Sequence, residues 1–216
     1  MSVPGSAHTR LIVLRHAKSA WPEGVPDHER PLAGRGRRDA PAAGRWLRQR
    51  HCAPDVVLCS TSRRTRETWE RIAAELGPSE PEQAPEQAPE TPQTPPALRP
   101  STASQAPCPS PAAHPAPEVV FEPRVYQASG AALLEVVRAV PERWRTALLI
   151  GHLPGVQDLV LSLTGGGDDE ALARAREKFP TSALAVLTLP GGWADLAPGR
   201  AELTDFVVPR GPKGGA

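Results

Sequence analysis

The sequence predicts an α/β protein, a three-layer and predominantly parallel sheet with helices on both faces. Three observations carry that prediction. Runs of consecutive apolar residues at Leu11–Leu14, within Asp55–Cys59 and at Ala147–Ile150 read as strands buried on both faces. After each run, and after a fourth at Glu118–Glu122, apolar residues recur at helical rather than alternating spacing. Strands alternating with helices make right-handed crossovers in one sheet the economical architecture.

Taken in order, Met1–Thr9 is a short polar lead-in, expected to be flexible. Strand one is expected at about 10–15, and the Pro-, Gly- and charge-rich stretch 19–35 reads as a loop of active-site size. A helix ending near Arg50 follows. Pro41 is tolerated only in a first turn, so Asp39 is expected as its N-cap, with Ala43, Trp46 and Leu47 on the buried stripe. Strand two, Asp55–Cys59, leads into Ser60–Thr68, whose hydroxyls suit a helix start. Trp69, Ile72, Ala73 and Leu76 continue that helix and Gly77 ends it. Glu118–Glu122 is a strand, Ser129 opens a helix carrying Leu133, Leu134 and Val137, and Ala147–Ile150 is the next strand. A helix with Val156, Leu159, Val160 and Leu163 closes at Gly165–Gly167, and 168–178 is helical. Thr181–Leu189 is a strand, and Trp193–Leu196 and Ala201–Val208 are short antiparallel edge strands.

Composition separates one segment from the rest. The chain has 216 residues, 39% hydrophobic, with 27 prolines, and residues 78–117 hold 13 of those prolines and a single aliphatic larger than alanine, Leu98. Such a stretch cannot bury enough apolar surface to offset its ordering entropy. It is expected to be a disordered insert, partly polyproline II, that interrupts a single domain spanning 10–208, with 209–216 a flexible tail. The net charge of +1 gives no field that selects nucleic acid or a membrane surface, although residues 30–71 carry eleven arginines. No apolar run approaches the roughly 18 residues of a membrane span, and the N-terminus lacks the apolar core of a signal peptide. Cys52, Cys59 and Cys108 are odd in number and show no ligand spacing, so free thiols in a reducing cytoplasm are expected, with no metal and no cofactor.

Function is read from three strand ends. Arg15-His16, Ser60 with Arg64, and Gly151-His152 each follow a predicted buried strand directly, and carboxyl ends of strands are where open α/β sheets bind ligands. Singly these are ordinary short motifs. In equivalent topological positions they assemble a phosphoryl site. Guanidinium groups match phosphate oxygens bidentately, and a neutral imidazole is a competent nucleophile.

At these residues the chain resembles the histidine phosphatase (phosphoglycerate-mutase-like) superfamily, and within it the SixA-type phosphohistidine phosphatase branch. The matching motifs are Leu14-Arg15-His16-Ala17, Ser60 through Thr68 with Arg64 as the motif arginine, and Gly151-His152-Leu153-Pro154. Asp27-x-x-Arg30-Pro-Leu and Phe179-Pro-Thr181-Ser182-Ala match the SixA-type branch further. The resemblance implies a phosphoglycerate-mutase-like fold and a metal-independent phosphatase. It implies His16 as the phosphorylated nucleophile, with Arg15, Arg64 and His152 on the phosphate and Arg30 as an additional cation. Ser60 and Thr181 are further candidates for phosphate contact, and Lys18, Ser19 and Trp21 for the mouth.

One departure narrows the substrate. Mutase and ester-phosphatase members carry a glutamate proton donor where this chain reads Val125-Tyr-Gln-Ala-Ser129. Asp27 is the nearby acid left, and it serves either as that donor or to orient Arg30. Without a strong acid, the expectation shifts to phosphohistidine or another activated phosphoryl group on a protein or small metabolite. A second expectation is a regulatory module that binds phospho-ligands on the same fold with weak turnover.

Overall fold

The computed structural model describes residues 9–77 and 116–212. The proline-rich insert lies outside the described residues except for Ala116 and Pro117, as do 1–8 and 213–216. Seven strands form one sheet: β1 (Thr9–Arg15), β2 (Val56–Cys59), β3 (Glu118–Phe121), β4 (Thr146–Gly151), β5 (Thr164–Gly167), β6 (Leu184–Leu189) and β7 (Ala201–Val207). Their order is β3-β2-β4-β1-β6-β7-β5. The block β3-β2-β4-β1 is parallel, β6 is antiparallel to both β1 and β7, and β5 is parallel to β7. Among the described residues five α-helices flank it: α1 (Gly34–Gln49), α2 (Arg63–Leu76), α3 (Gly130–Arg138), α4 (Gly155–Leu163) and α5 (Asp169–Glu177).

Alternation along each strand makes the three layers, because successive side chains point to opposite faces. Ile12 and Leu14 of β1 join Val57, Cys59, Leu148 and Ile150 under Ala43 and Leu47 of α1 and Trp69 and Ile72 of α2. Leu11 and Val13 join Val56, Leu58 and Leu149 under α3, α4 and α5. A strand buried on both faces reads as a continuous apolar run, which is why these runs were legible as strands. No helix among the described residues is long and apolar enough to cross a membrane.

Four local expectations are corrected. Helix α1 starts at Gly34, not beyond Asp39, and Pro41 lies inside it. Tertiary contacts fix that early start. Ala33 N–H donates to Lys18 O, and Gly36 sits so close to Lys18 that an added Cβ would overlap its carbonyl oxygen. Asp39 is not a cap. Its buried carboxylate accepts from Arg35 Nε, Arg210 Nη1 and Gly211 N. Through those last two bonds Arg210 and Gly211 are held against α1, and 213–216 lie outside the described residues. Trp193–Leu196 forms a turn rather than a strand: Trp193 is buried, its backbone N–H held by Glu142 and its indole N–H by Trp144 O. The glycine run that closes α4 is itself β5, paired with β7.

The carboxyl ends of β1, β2 and β4 are level, with Arg15 opposite Gly151 and Cys59 opposite Ile150. Because β6 runs antiparallel to β1, its first residues arrive at the same edge. Arg15 N–H donates to Ala183 O and Ser182 N–H to Arg15 O. Thr181–Ala183, read from sequence as the start of that strand, is instead the turn leading into it, with Ser182 at φ 63°.

Candidate active site

A pocket of about 240 Å³ opens at this edge, lined by Arg15, His16, Asp27, Arg30, Arg64 and His152 below and by Lys18, Ser19, Trp21, Gln127, Leu153 and Thr181 around them. His16 follows the last residue of β1, and its backbone N–H donates to Gly151 O, which ties two strand ends together. Ala17 N–H donates to Thr68 Oγ1, and Thr68 donates to Arg64 O, so the turn carrying the histidine is locked to α2.

The orientation of His16 follows from one bond. Its Nδ1 lies 2.7 Å from Ala17 O. A carbonyl only accepts, so Nδ1 carries the proton and Nε2 holds the free lone pair. Among the described residues Nε2 has no hydrogen-bond partner. Burial pushes the imidazole pKa down to about 3, and the adjacent His152 and the charges of Arg64 and Arg15 act in the same direction. The ring is therefore neutral across the physiological range.

His152 has the opposite tautomer. Arg64 Nη2 donates to its Nδ1 at 3.3 Å, so Nε2–H donates to Ser60 Oγ at 2.8 Å. Burial and then the Arg64 charge lower its pKa to about 3. The two imidazole centroids are 5.1 Å apart. Ser60 is fully buried and lies outside the pocket lining, where its hydroxyl accepts from His152 and orients the imidazole.

Three guanidinium groups supply the charge. Arg15 Nη1 donates to Phe179 O, and its enclosed Nε has no partner among the described residues. Apart from the one bond to Phe179, its N–H groups have no partner among the described residues, and those on the Nη atoms are the ones left to a ligand. Arg30 is buried and held by Ala20 O, Ser19 Oγ and Asp27 Oδ1. Arg64 donates to Asp27 O at 2.5 Å and to Asp27 Oδ2 at 3.0 Å. Against these cations stands one carboxylate. Partial desolvation raises the Asp27 pKa, but hydrogen bonds from Tyr126 and Arg30 and the Arg64 charge outweigh it and hold the group well below the ordinary carboxylate range. The carboxylate bridges Arg30 and Arg64 and holds both guanidinium groups in place. Its own proton is gone at neutral pH.

Several neighbours were not singled out from sequence. Tyr126 donates to Asp27 Oδ2 at 2.7 Å and stands edge-on to His152. Gln127, in the left-handed backbone region at φ 54°, lines the mouth. Both fall in the stretch noted only for its missing glutamate. Glu67, inside the Ser60–Thr68 motif, accepts from Leu32 N and closes the loop over α2.

Comparison with known proteins fits this geometry. Residues 11–87 match the histidine phosphatase superfamily (branch 1). A protein of Mycobacterium tuberculosis carried as uncharacterized is 38% identical over 199 residues, 91% of this chain and 100% of that one. The chain belongs to the histidine phosphatase superfamily. Its SixA-type branch is indicated by two solved structures of candidate phosphohistidine phosphatases. The one from Nakamurella multipartitia aligns with a TM-score of 0.67 at 27% identity, covering 94% of this chain and 98% of that one. The one from Agrobacterium tumefaciens gives 0.64 at 25%, covering 93% and 98%. This SixA-type chain therefore has a phosphatase fold with the three strand-end motifs gathered on one pocket.

Proposed function

We propose that the protein is a metal-independent phosphatase that forms a covalent phosphohistidine on His16. Its substrate is an activated phosphoryl group, on a protein histidine or on a small phosphorylated metabolite. The observation that carries this is the His16 tautomer: Nδ1–H is fixed on Ala17 O, which leaves Nε2 unprotonated on a residue that lines one pocket with Arg15, Arg30 and Arg64. Arg15, with its free Nη N–H groups, and the remaining donors of Arg30 and Arg64 hold the phosphoryl oxygens as charge develops. The Nε2 lone pair attacks phosphorus and the bond from phosphorus to the leaving group breaks, its electron pair departing with the leaving atom. Water then attacks phosphorus, the N–P bond breaks, and the water proton leaves with inorganic phosphate, which restores neutral His16.

His152 contacts the phosphoryl group through Nδ1. That contact requires Nδ1 to take up a proton and to give up the hydrogen bond it accepts from Arg64 Nη2, whose N–H then turns to the phosphoryl oxygens. The incoming dianion supplies the reason, because a nearby negative charge favours the imidazolium. With Asp27 ionised, no side-chain carboxyl in the pocket is available to protonate a strongly basic alkoxide. This favours phosphoramidates and acidic phosphate esters over alkyl esters. Among the described residues no three of His, Cys, Asp and Glu gather as a metal-ligand set, and the proposed steps draw on side chains alone.

The test is to mix the protein with phosphoimidazole, quench in alkali, and read the peptide carrying His16 by mass. A phosphoryl adduct on that peptide, lost together with turnover in His16→Ala, is the expected result. Full turnover in His16→Ala would sink the mechanism. Phosphate binding without turnover of phosphoimidazole, phosphohistidine or an acidic ester would point instead to the regulatory module.

A further inference from the structure

The proposed chemistry uses the buried floor of the pocket and leaves its mouth unexplained. The mouth contains Lys18, Trp21, Gln127 and Leu153, with no acidic side chain among them. Trp21 is the unusual member. Its side chain is 76% exposed, the most exposed large hydrophobic group among the described residues.

An exposed aromatic residue by itself calls for no explanation. This one is held in place. The Arg30 guanidinium carbon lies 3.0 Å from the centroid of the indole, over one face of the ring. Arg30 is in turn buried and tied by Ala20 O, Asp27 and Ser19. The indole is thus fixed from beneath by a stationary cation, while the rest of its surface is open to solvent at the pocket mouth. A flat, oriented, unpartnered aromatic surface beside a phosphoryl floor is suited to a flat group attached to phosphorus. A flexible alkyl chain would gain little from it, because stacking needs planar contact on both sides.

We propose that Trp21 is a specificity-determining residue whose free indole face stacks on a planar aromatic or heteroaromatic leaving group. The phosphoryl group of the same substrate sits on Arg15, His16 and Arg64. Imidazole and phenyl rings both belong to this class. The inference rests on the phosphoryl-site reading above, and it adds the part of the substrate that the floor does not touch. Arg30 links the two, since one guanidinium both faces the pocket and fixes the platform.

Non-cleavable phosphonates separate the two parts, because their P–C bond keeps binding apart from turnover. Titrate the full-length protein with phenylphosphonate and with methylphosphonate by calorimetry, then repeat with Trp21→Ala and Trp21→Phe. The wild type is expected to bind phenylphosphonate about five- to tenfold more tightly, as one aromatic stack provides. Trp21→Ala should lose that preference while binding methylphosphonate within about twofold of wild type, and Trp21→Phe should retain most of it. Equal affinity for the two ligands in the wild type overturns the proposal. So does an equal loss for both ligands in Trp21→Ala, which would mean that Trp21 acts only through Arg30. Failure of both phosphonates to bind the wild type would instead remove the phosphoryl-site reading, and this proposal with it.

Discussion

Two neutral histidines in one buried pocket make a prediction about stability against acid. His16 and His152 are both buried, with pKa values pushed down to about 3, whereas an unfolded histidine titrates near 6.5. Because the folded value is the lower one, the unfolded chain takes up protons first as pH falls. The stability contribution is complete above pH 6.5 and declines from there towards pH 3. At pH 5 each unfolded imidazole is favoured by about 1.5 pH units, or roughly 2 kcal/mol, while the folded ones gain almost nothing. The pair therefore removes about 4 kcal/mol between pH 8 and pH 5, a large part of a typical 5–15 kcal/mol. Asp27, whose pKa is depressed, loses its contribution only as pH falls through and below the ordinary carboxylate range, so this window isolates the imidazoles. Urea unfolding of the wild type and of a His16→Gln/His152→Gln double variant at the two pH values measures the difference. The wild type is expected to lose about 4 kcal/mol more than the double variant, and less when inorganic phosphate is present. Equal losses in the two proteins would refute the reasoning.

Two further substitutions test the supports of the pocket. Ser60→Ala leaves the Nε2–H of His152 buried without an acceptor, at a cost of about 1–3 kcal/mol. The expected result is a fall in kcat/KM for phosphoimidazole of roughly tenfold or more with the fold intact by circular dichroism. Gly36→Ala places a Cβ 2.1 Å from Lys18 O, and backbone on both sides leaves no side chain to move aside. It should cost about 1–3 kcal/mol and lower Tm by about 2–4 °C per kcal/mol, read by calorimetry. An unchanged Tm would contradict the close seating of α1 against the turn that carries His16.

The parts of the site that sequence reveals are those set by local rules. Arg15, His16, Arg64 and His152 are legible because they follow three uninterrupted apolar runs, at the strand end or in the first turn of the next helix, and the sheet aligns those strand ends. The supporting residues follow long-range contacts that no local pattern encodes. Tyr126 reaches Asp27 across 99 positions, and Gln127 reaches the mouth through a left-handed backbone turn. Asp39 shows the same limit in reverse. An acidic residue two positions before a proline suits a helix cap locally, but its carboxylate is bound to Arg210, 171 residues further along. Ser60 directly follows a strand end, but its hydrogen bond to His152 depends on which side of that imidazole it occupies, which no local pattern encodes.

The places where the chain leaves and re-enters the described fold around residues 78–115 have a consequence for how this protein can be altered. Helix α2 begins just after the carboxyl end of β2, at the pocket, and its 14 residues carry the chain about 21 Å back along the sheet. Strand β3 starts at Glu118, level with Val56 and Ala147, at the sheet edge remote from the pocket. Gly77 and Ala116 therefore stand at the opposite end of the sheet from His16. A segment spliced in at Gly77 or at Ala116 thus joins the described fold at the end away from the pocket. In a protein-engineering setting this crossover is the natural point to splice in a reporter or an affinity handle, with the chemistry left to read out whether the host still folds.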